Sequence, residues 1–354
     1  MAEISKIALN GNSYTLKDEI ARQNANRRNR KFVLIGDSYG MRHNNNWTSF
    51  FANNHNVVAR ESRAGVGCAP NTHANSSFLD IAKNIVSGLT QAQRKSVTDV
   101  VVCGGWNDAR GLTEGDFTVS QWRTHLYALA DYCQAQFPNC IFHLGFIGWQ
   151  MGDCSYINVC SFENLRKMQN AYMQSKAHGI HYLTGVENVM KCSLFYDDSK
   201  FHPNDSNGAQ YLYWAIAEAV LTGAYHFHLE YTINPEHITI NNTAIVNSIE
   251  NVHCAVDNGT ALLKIALTTK NGITNTASQK TLITFDDFVL PHCYDEAVVA
   301  TGTVNAVVNG ENLINTCYLQ INHNKQLKGL LPVGSYTTDG KLAVKFVINT
   351  AFTF

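Results

Sequence analysis

Between Lys31 and about Gly223 short apolar runs alternate with amphipathic stretches, and this alternation restricts the span to a parallel α/β architecture. The runs at 31–36 (KFVLIG), 56–60 (NVVAR), 99–105 (DVVVCGG), 140–148 (CIFHLGFIG) and 180–185 (IHYLTG) are rich in β-branched and aromatic residues and read as strands. Segments 77–89, 120–137, 162–179 and 207–223 carry apolar residues at three- and four-residue spacing, with Gly or Pro soon after their ends, and read as helices. Unbroken apolar strands joined by helices predict a five-stranded parallel sheet covered on both faces. In such sheets active sites collect at the carboxyl ends of the strands.

Past about Tyr225 the helical period disappears. Short runs such as HITI, ALLKIALTT, TLITFDDFVL, YLQINH and LAVKFVINTAFTF are separated by NN, DNG, NG and DG turns, which predicts an all-β region of the sandwich or jelly-roll kind. A chain of 354 residues exceeds one compact domain, so the expected division is 1–30, 31–224 and 225–354.

A net charge of -1 gives no electrostatic ground for a nucleic-acid partner or an anionic membrane surface. The one basic run, Arg27-Arg28-Asn29-Arg30-Lys31, reads as a solvated linker face. No apolar stretch approaches the roughly 20 residues of a membrane span, and the first 20 residues lack the apolar centre of a signal peptide, so Sec export is not expected. The ten cysteines contain no CxxC pair; Cys103 and Cys140 read as buried thiols, and Cys154 and Cys160 as ordinary loop thiols. The pairs His178/His181 and His226/His228 read as structural, and no metal site is expected.

Four local patterns fall directly after predicted strands. The first strand ends in Gly36-Asp37-Ser38-Tyr39-Gly40, where a serine at the start of a helix exposes both its hydroxyl and its N–H; the same residue also suits a helix cap. After the second strand comes Ala64-Gly65-Val66-Gly67, a glycine loop able to offer an N–H. The third strand ends in Gly104-Gly105-Trp106-Asn107-Asp108, where a carboxamide can aim its NH2 at the same crevice or simply form an Asn-Asp turn. Following the fifth strand, Asp197-Asp198-Ser199-Lys200-Phe201-His202 places a histidine on a loop with carboxylates four and five residues earlier.

In content and in chain order these blocks resemble the SGNH, or GDSL-like, hydrolase family over residues 31–223. The resemblance implies a flavodoxin-like three-layer α/β/α fold and an esterase working without cofactor. It implies Ser38 as nucleophile, His202 as base, and Gly65, Asn107 and the Ser38 N–H as oxyanion-hole donors. The family places an aspartate three residues before the histidine; here that position is Ser199. Either Asp198 orients His202 across one extra residue, which is the preferred reading, or a Ser-His dyad is supported by a carbonyl. Asp37 is expected to brace its turn. Tyr39, Trp106 and Trp149 lie at strand ends, where each either stacks on a sugar ring or packs inside.

The opening segment, ISKIALNGNSYTLKDEIAR, is similar to the start of tail and baseplate proteins of bacteriophages that infect Gram-positive bacteria. This implies a virion or prophage-encoded component, acting outside the cell on acylated polysaccharide, with the terminal β region suited to glycan binding or trimer formation. A glycan-binding protein that retains the fold without catalysis is the alternative.

Overall fold

The computed structural model describes residues 29–151, 154, 159–205, 207–257, 260–269, 280–286, 298–308, 311–321, 326–330 and 344–353, together with 7–9 and 12–14. The Lys-Asp-xxx-Ala-Arg portion of the opening segment lies outside the described residues. Before it, β1 (Ile7–Leu9) pairs antiparallel with β2 (Asn12–Tyr14).

The five strands expected between Lys31 and Gly223 form: β3 (Phe32–Gly36), β4 (Val57–Ser62), β5 (Asp99–Gly104), β6 (Ile141–Phe146) and β7 (Ile180–Tyr182). They make one parallel sheet in the order β4-β3-β5-β6-β7. Every residue of β3 and β5 is buried, because each lies inside the sheet and carries apolar side chains toward both faces; edge strand β4 is only half-buried.

The crossovers contain α1 (Trp47–Asn54), α2 (Phe78–Ser87), α3 (Gln91–Ser96), α4 (Trp106–Glu114), α5 (Val119–Gln136), α6 (Phe162–Gln174) and α7 (Gly208–Thr222). Capping boxes start α2 with Ser77 and Asp80 and α5 with Thr118 and Gln121, satisfying N–H groups that have no partner within the helix. Helix α7 buries Leu212, Ala215, Ile216 and Ala219, one stripe at helical spacing, and stops where Gly223 takes a left-handed φ of 99°. It packs beside α1, whereas α2 packs on α5 and α6 on both α4 and α5, so helices cover both faces of the sheet. The architecture is the three-layer α/β/α arrangement expected from the sequence, with an antiparallel region after it.

The short α1, α3 and α4 were absent from the expected set. Helix α4 begins within the Gly104–Asp108 block, so Asn107 lies on a first helical turn rather than in an Asn-Asp turn. The basic linker face also needs correcting at Arg30. Its guanidinium is bidentate on buried Asp99 and donates to the Val220 carbonyl at 3.0 Å, tying the linker to the start of β5.

The chain leaves this unit along β7, where the Tyr225 N–H donates to Thr184 O at 2.8 Å. Nine strands follow: β8 (His228–Ile233), β9 (Ile238–Ile240), β10 (Val246–Asp257), β11 (Thr260–Thr269), β12 (Lys280–Phe285), β13 (Val298–Val308), β14 (Glu311–Ile321), β15 (Gln326–Leu330) and β16 (Val344–Thr353). Their order is β8-β10-β11-β16-β13-β14-β15-β12-β9, and every pairing is antiparallel. The two edge strands are consecutive in the chain. Eight spacings of a flat sheet would separate them by about 38 Å, while the link from Ile233 to Ile238 spans at most about 18 Å, so the sheet must curl. Register breaks in β10 after Val246 and after Ile249 assist the bend. Val252, Cys254 and Val256, with Ala261, Leu263, Ile265 and Leu267, alternate inward and fill the space enclosed. No helix among the described residues is long and apolar enough to cross a membrane.

Candidate active site

The carboxyl ends of three strands are level, because Gly36 pairs with Ser62 on one side and Cys103 on the other. Three turns are therefore delivered to one edge of the sheet. After β3, the Asp37 carboxylate accepts the Tyr39 N–H at 2.9 Å and starts a 3-10 turn, Ser38–Gly40. Gly36 and Gly40 are required there, since a Cβ on either would stand 2.8 or 2.5 Å from Ser62 Oγ. Asp37 is wholly buried, and burial pushes its carboxyl up to about 8. It braces the turn, as its place in the motif suggested.

Asn107 Nδ2 donates to the Val66 carbonyl at 3.1 Å and lies 3.5 Å from Asp37 Oδ2. This amide ties the glycine loop after β4 to the serine turn after β3. Gly65 takes φ 78°, and neither its N–H nor that of Ser38 donates to a protein acceptor among the described residues. Buried Asp108 holds the remainder of the loop: its carboxylate accepts Cys68 N–H at 3.2 Å, Ala69 N–H at 3.3 Å and Tyr172 O–H at 2.6 Å. Asn107 sits at the positive end of α4, so the amide, the free N–H groups and the helix terminus all favour negative charge at this edge.

His202 arrives on a tight turn. The Asp197 N–H donates to His202 O at 2.9 Å, Tyr196 bridges Pro203, and Lys200 takes a left-handed φ of 61°. Asn204 fastens the turn to α7 by accepting the Asn207 and Gly208 N–H groups, each at 2.8 Å. His202 Nε2 stands 2.9 Å from Ser38 Oγ. Its other nitrogen, Nδ1, meets Arg42 Nη1 at 2.7 Å and Ser199 Oγ at 3.2 Å.

Asp198, expected to orient His202, does not. It is exposed, and no hydrogen bond or ion pair joins it to His202 among the described residues. The Lys200 N–H closes a turn on Asp197 O at 2.9 Å, and in that turn the Asp197 and Ser199 side chains meet each other and the His202 side while Asp198 faces water. No carbonyl among the described residues hydrogen-bonds Nδ1 either; a guanidinium and a hydroxyl do. Asp197 Oδ1 accepts the Ser199 N–H at 2.8 Å and the Ser199 hydroxyl, while Oδ2 forms an ion pair with Arg42 Nε at 3.0 Å and faces His43 Nε2 at 3.2 Å. Arg42 and His43 passed unnoticed in the sequence; the available signal was two basic side chains four and five residues beyond Ser38.

The three aromatics at the strand ends pack inside. Tyr39 is fully buried and donates its hydroxyl to Trp149 O at 2.9 Å; Trp106 donates to Gln150 at 2.8 Å and stacks on Phe201; Trp149 is 2% exposed beneath the Lys191 ammonium. None presents a ring face to a sugar. Phe201 and Tyr39 instead wall His202, which is 5% exposed.

Burial first, then the positive charge of Arg42, lowers His202 to about 3. A base with this value stays neutral down to strongly acid pH. Its folded value lies below the ordinary 6.5, so stability from this group is complete above pH 6.5 and is lost as pH falls toward 3. Any hydrolysis that uses His202 as base is expected to keep kcat/KM level from pH 8 to about 4, where an ordinary histidine would already have lost it below pH 6. A pH profile on an activated ester, with intact fold verified by circular dichroism, checks this; an acid limb near 6.5 contradicts it.

A cavity of about 530 Å³ opens at the opposite, amino end of the sheet, lined by Arg30, Asp99, Ile141, His143, His181 and Val220 among others. Its polar groups satisfy one another. His143 Nε2 is 2.8 Å from Asp99 and its Nδ1 is 3.2 Å from His181, while Arg30, His143 and Thr98 keep Asp99 ionised against the opposing effect of burial. Among the described residues no cluster of three or more His, Cys, Asp or Glu could hold a metal ion. Cys103, Cys140, Cys154 and Cys160 are free thiols.

No family model matches this sequence, and no curated protein does. Solved structures similar in fold include the psychrotrophic esterase EstA from a Pseudoalteromonas species (15% identity, TM-score 0.37), covering 54% of this chain and 96% of its own. A member of the lipolytic protein G-D-S-L family from Veillonella parvula (12% identity, TM-score 0.37) covers 54% and 98%. An extracellular lipase from Streptomyces rimosus (12% identity, TM-score 0.35) covers 54% and 99%. With identities of 12–15% and TM-scores of 0.35–0.37 these likenesses carry no argument; the fold and the chemistry rest on the strands and side chains described above.

Proposed function

We propose that this chain is a serine esterase that removes acetyl or other short acyl groups from carbohydrate. The observation that carries the reading is Ser38 Oγ 2.9 Å from His202 Nε2 at the carboxyl edge of a parallel sheet, beside Asn107 and two N–H groups without protein acceptors. In the reaction Ser38 attacks the ester carbonyl as His202 takes its proton. Asn107 Nδ2 and the N–H groups of Ser38 and Gly65 stabilise the oxyanion, His202 protonates the leaving alcohol, and water attacking through the same base releases the acyl group. No cofactor enters.

A short acyl group is supported by the polar character of the loop after Ser38 (MRHNNNW), which offers Met41 as its one large aliphatic side chain. Wild-type protein is accordingly expected to favour p-nitrophenyl acetate over the octanoate by at least about tenfold in kcat/KM, and to release acetate from an acetylated polysaccharide. The reverse preference would argue for a lipase.

The setting belongs to the same proposal. Residues 31–224 carry the chemistry, 225–354 bind glycan or join copies into a trimer, and 1–30 attach the protein to a virion, acting on bacterial surface polysaccharide. The opening segment's similarity to phage tail proteins supports it. The contact of Arg42 with Nδ1 favours a second reading, a glycan-binding protein without turnover; absence of hydrolysis from every ester tested, together with binding to the polysaccharide, would select it.

A further inference from the structure

A guanidinium has only N–H donors, so the Arg42 contact at 2.7 Å uses the lone pair of His202 Nδ1. A neutral imidazole carries one N–H, and here it must be on Nε2, donating to Ser38 Oγ across 2.9 Å. In that tautomer Nε2 has no lone pair for the serine proton. The arrangement is assembled but not basic toward Ser38.

The surroundings of Ser199 show which arrangement is basic. Its hydroxyl has one hydrogen and two lone pairs. The hydrogen goes to Asp197 Oδ1; one lone pair accepts the His202 backbone N–H at 3.2 Å; the second faces Nδ1 at 3.2 Å. Only an Nδ1–H fills that last position. Ser199 is thus prepared for the tautomer that Arg42 excludes, and Asp197 behind it stabilises the imidazolium that forms when the serine proton arrives. Arg42 can leave Nδ1 without leaving the site, because its Nε is held separately by Asp197 at 3.0 Å and its side chain is 42% exposed.

Resting on the esterase reading, we propose that Arg42 gates the site: seated on Nδ1 it keeps His202 in the non-basic tautomer, and its displacement delivers Nδ1–H to the Ser199–Asp197 pair. The proton balance is simple. One proton leaves Nε2 to solvent water and one arrives at Nδ1 from solvent water, so the charge of the ring is unchanged. Ser199 and Asp197 are positioning residues acting through His202, and the hydroxyl replaces the direct carboxylate expected three residues before the histidine.

The test reads the tautomer separately from the reaction. In protein labelled with ¹⁵N-histidine, long-range ¹H–¹⁵N correlation, with the His202 signal assigned by its loss in His202→Gln, is expected to show Nε2–H in the wild type and Nδ1–H in Arg42→Ala. Inactivation by a fluorophosphonate, read as Ser38 labelling by mass spectrometry, is expected to accelerate on the order of tenfold in Arg42→Ala, the weight of one charge-assisted hydrogen bond. Ser199→Ala added to Arg42→Ala is expected to return a mixture of tautomers and remove the gain; where Arg42→Ala misfolds, Arg42→Met, which keeps an aliphatic stem without a donor, is expected to show the same Nδ1–H and the same acceleration. Nδ1–H in the wild type, or Arg42→Ala with unchanged tautomer, would overturn the gate. A tautomer that switches while no variant is labelled supports the gate and overturns the esterase reading.

Discussion

Replacing Ser38 with alanine is expected to lower kcat for p-nitrophenyl acetate by at least about 10⁴-fold while leaving the melting temperature within a few degrees of wild type. The size of the loss follows from the site working as a unit: without the hydroxyl no acyl-enzyme forms, and the oxyanion donors can assist only direct attack by water. The small stability effect follows from the contacts. Among the described residues Ser38 Oγ has one hydrogen-bond partner, His202, and the turn is capped by the Asp37 side chain rather than by that of Ser38. Purified wild type and Ser38→Ala, assayed side by side with differential scanning calorimetry on both, check it. Equal turnover by the two proteins would remove Ser38 from the chemistry.

Replacing Asn107 with alanine is expected to cost about 10² to 10³ in kcat with little change in KM, because an oxyanion donor works mainly in the transition state. A lesser effect accompanies it. Asn107 also donates to Val66 O and so joins two of the three turns at the sheet edge; losing that bond should cost on the order of 1 kcal/mol of stability. The two consequences separate experimentally, since stabilising cosolvent restores fold but not kcat. A rise in KM at constant kcat would instead make Asn107 a ground-state binding group.

These two substitutions touch residues that could be picked out from the chain alone, and there is a reason. Ser38, Gly65 and Asn107 each follow a strand whose apolar run is unmistakable, and in a parallel sheet every such strand end reaches the same edge. Register then does the rest: Gly36 level with Ser62 and Cys103 brings three turns together without any long-range information beyond strand order. His202 was legible for the same reason, on a loop before the last helix. Of the strands after Tyr225, β9, β11, β12, β14 and β16 were legible from turns and alternation, but β8, β10, β13 and β15 were not, since polar or glycine residues interrupt their apolar runs (HLEYTI, VNSIENVHCAVD, VVATGTVNAVV, QLKGL).

What resisted reading was side-chain direction. Asp198 and Asp197 are adjacent carboxylates, and only the turn closed by Asp197 N–H on His202 O, with Lys200 left-handed, sends one inward and the other to water. Tyr39, Trp106 and Trp149 stand at strand ends, where exposure and burial are equally compatible with sequence; packing against Phe201, Phe146 and Gln150 decided it. Arg42 is four residues from Ser38 in the chain but acts on the far side of His202, a relation that exists only once the first and last loops of the sheet meet.

The chain by itself determined the parallel sheet, the all-β character of the region after it and the four blocks at one edge, because hydrophobic period and chain order are local properties that propagate through sheet geometry; that the β region is one curled nine-stranded sheet rather than a sandwich was set by its strand order. Tertiary structure alone decided which nitrogen of His202 carries the proton, since that depends on which donor and which acceptor the fold places 2.7 and 3.2 Å from Nδ1.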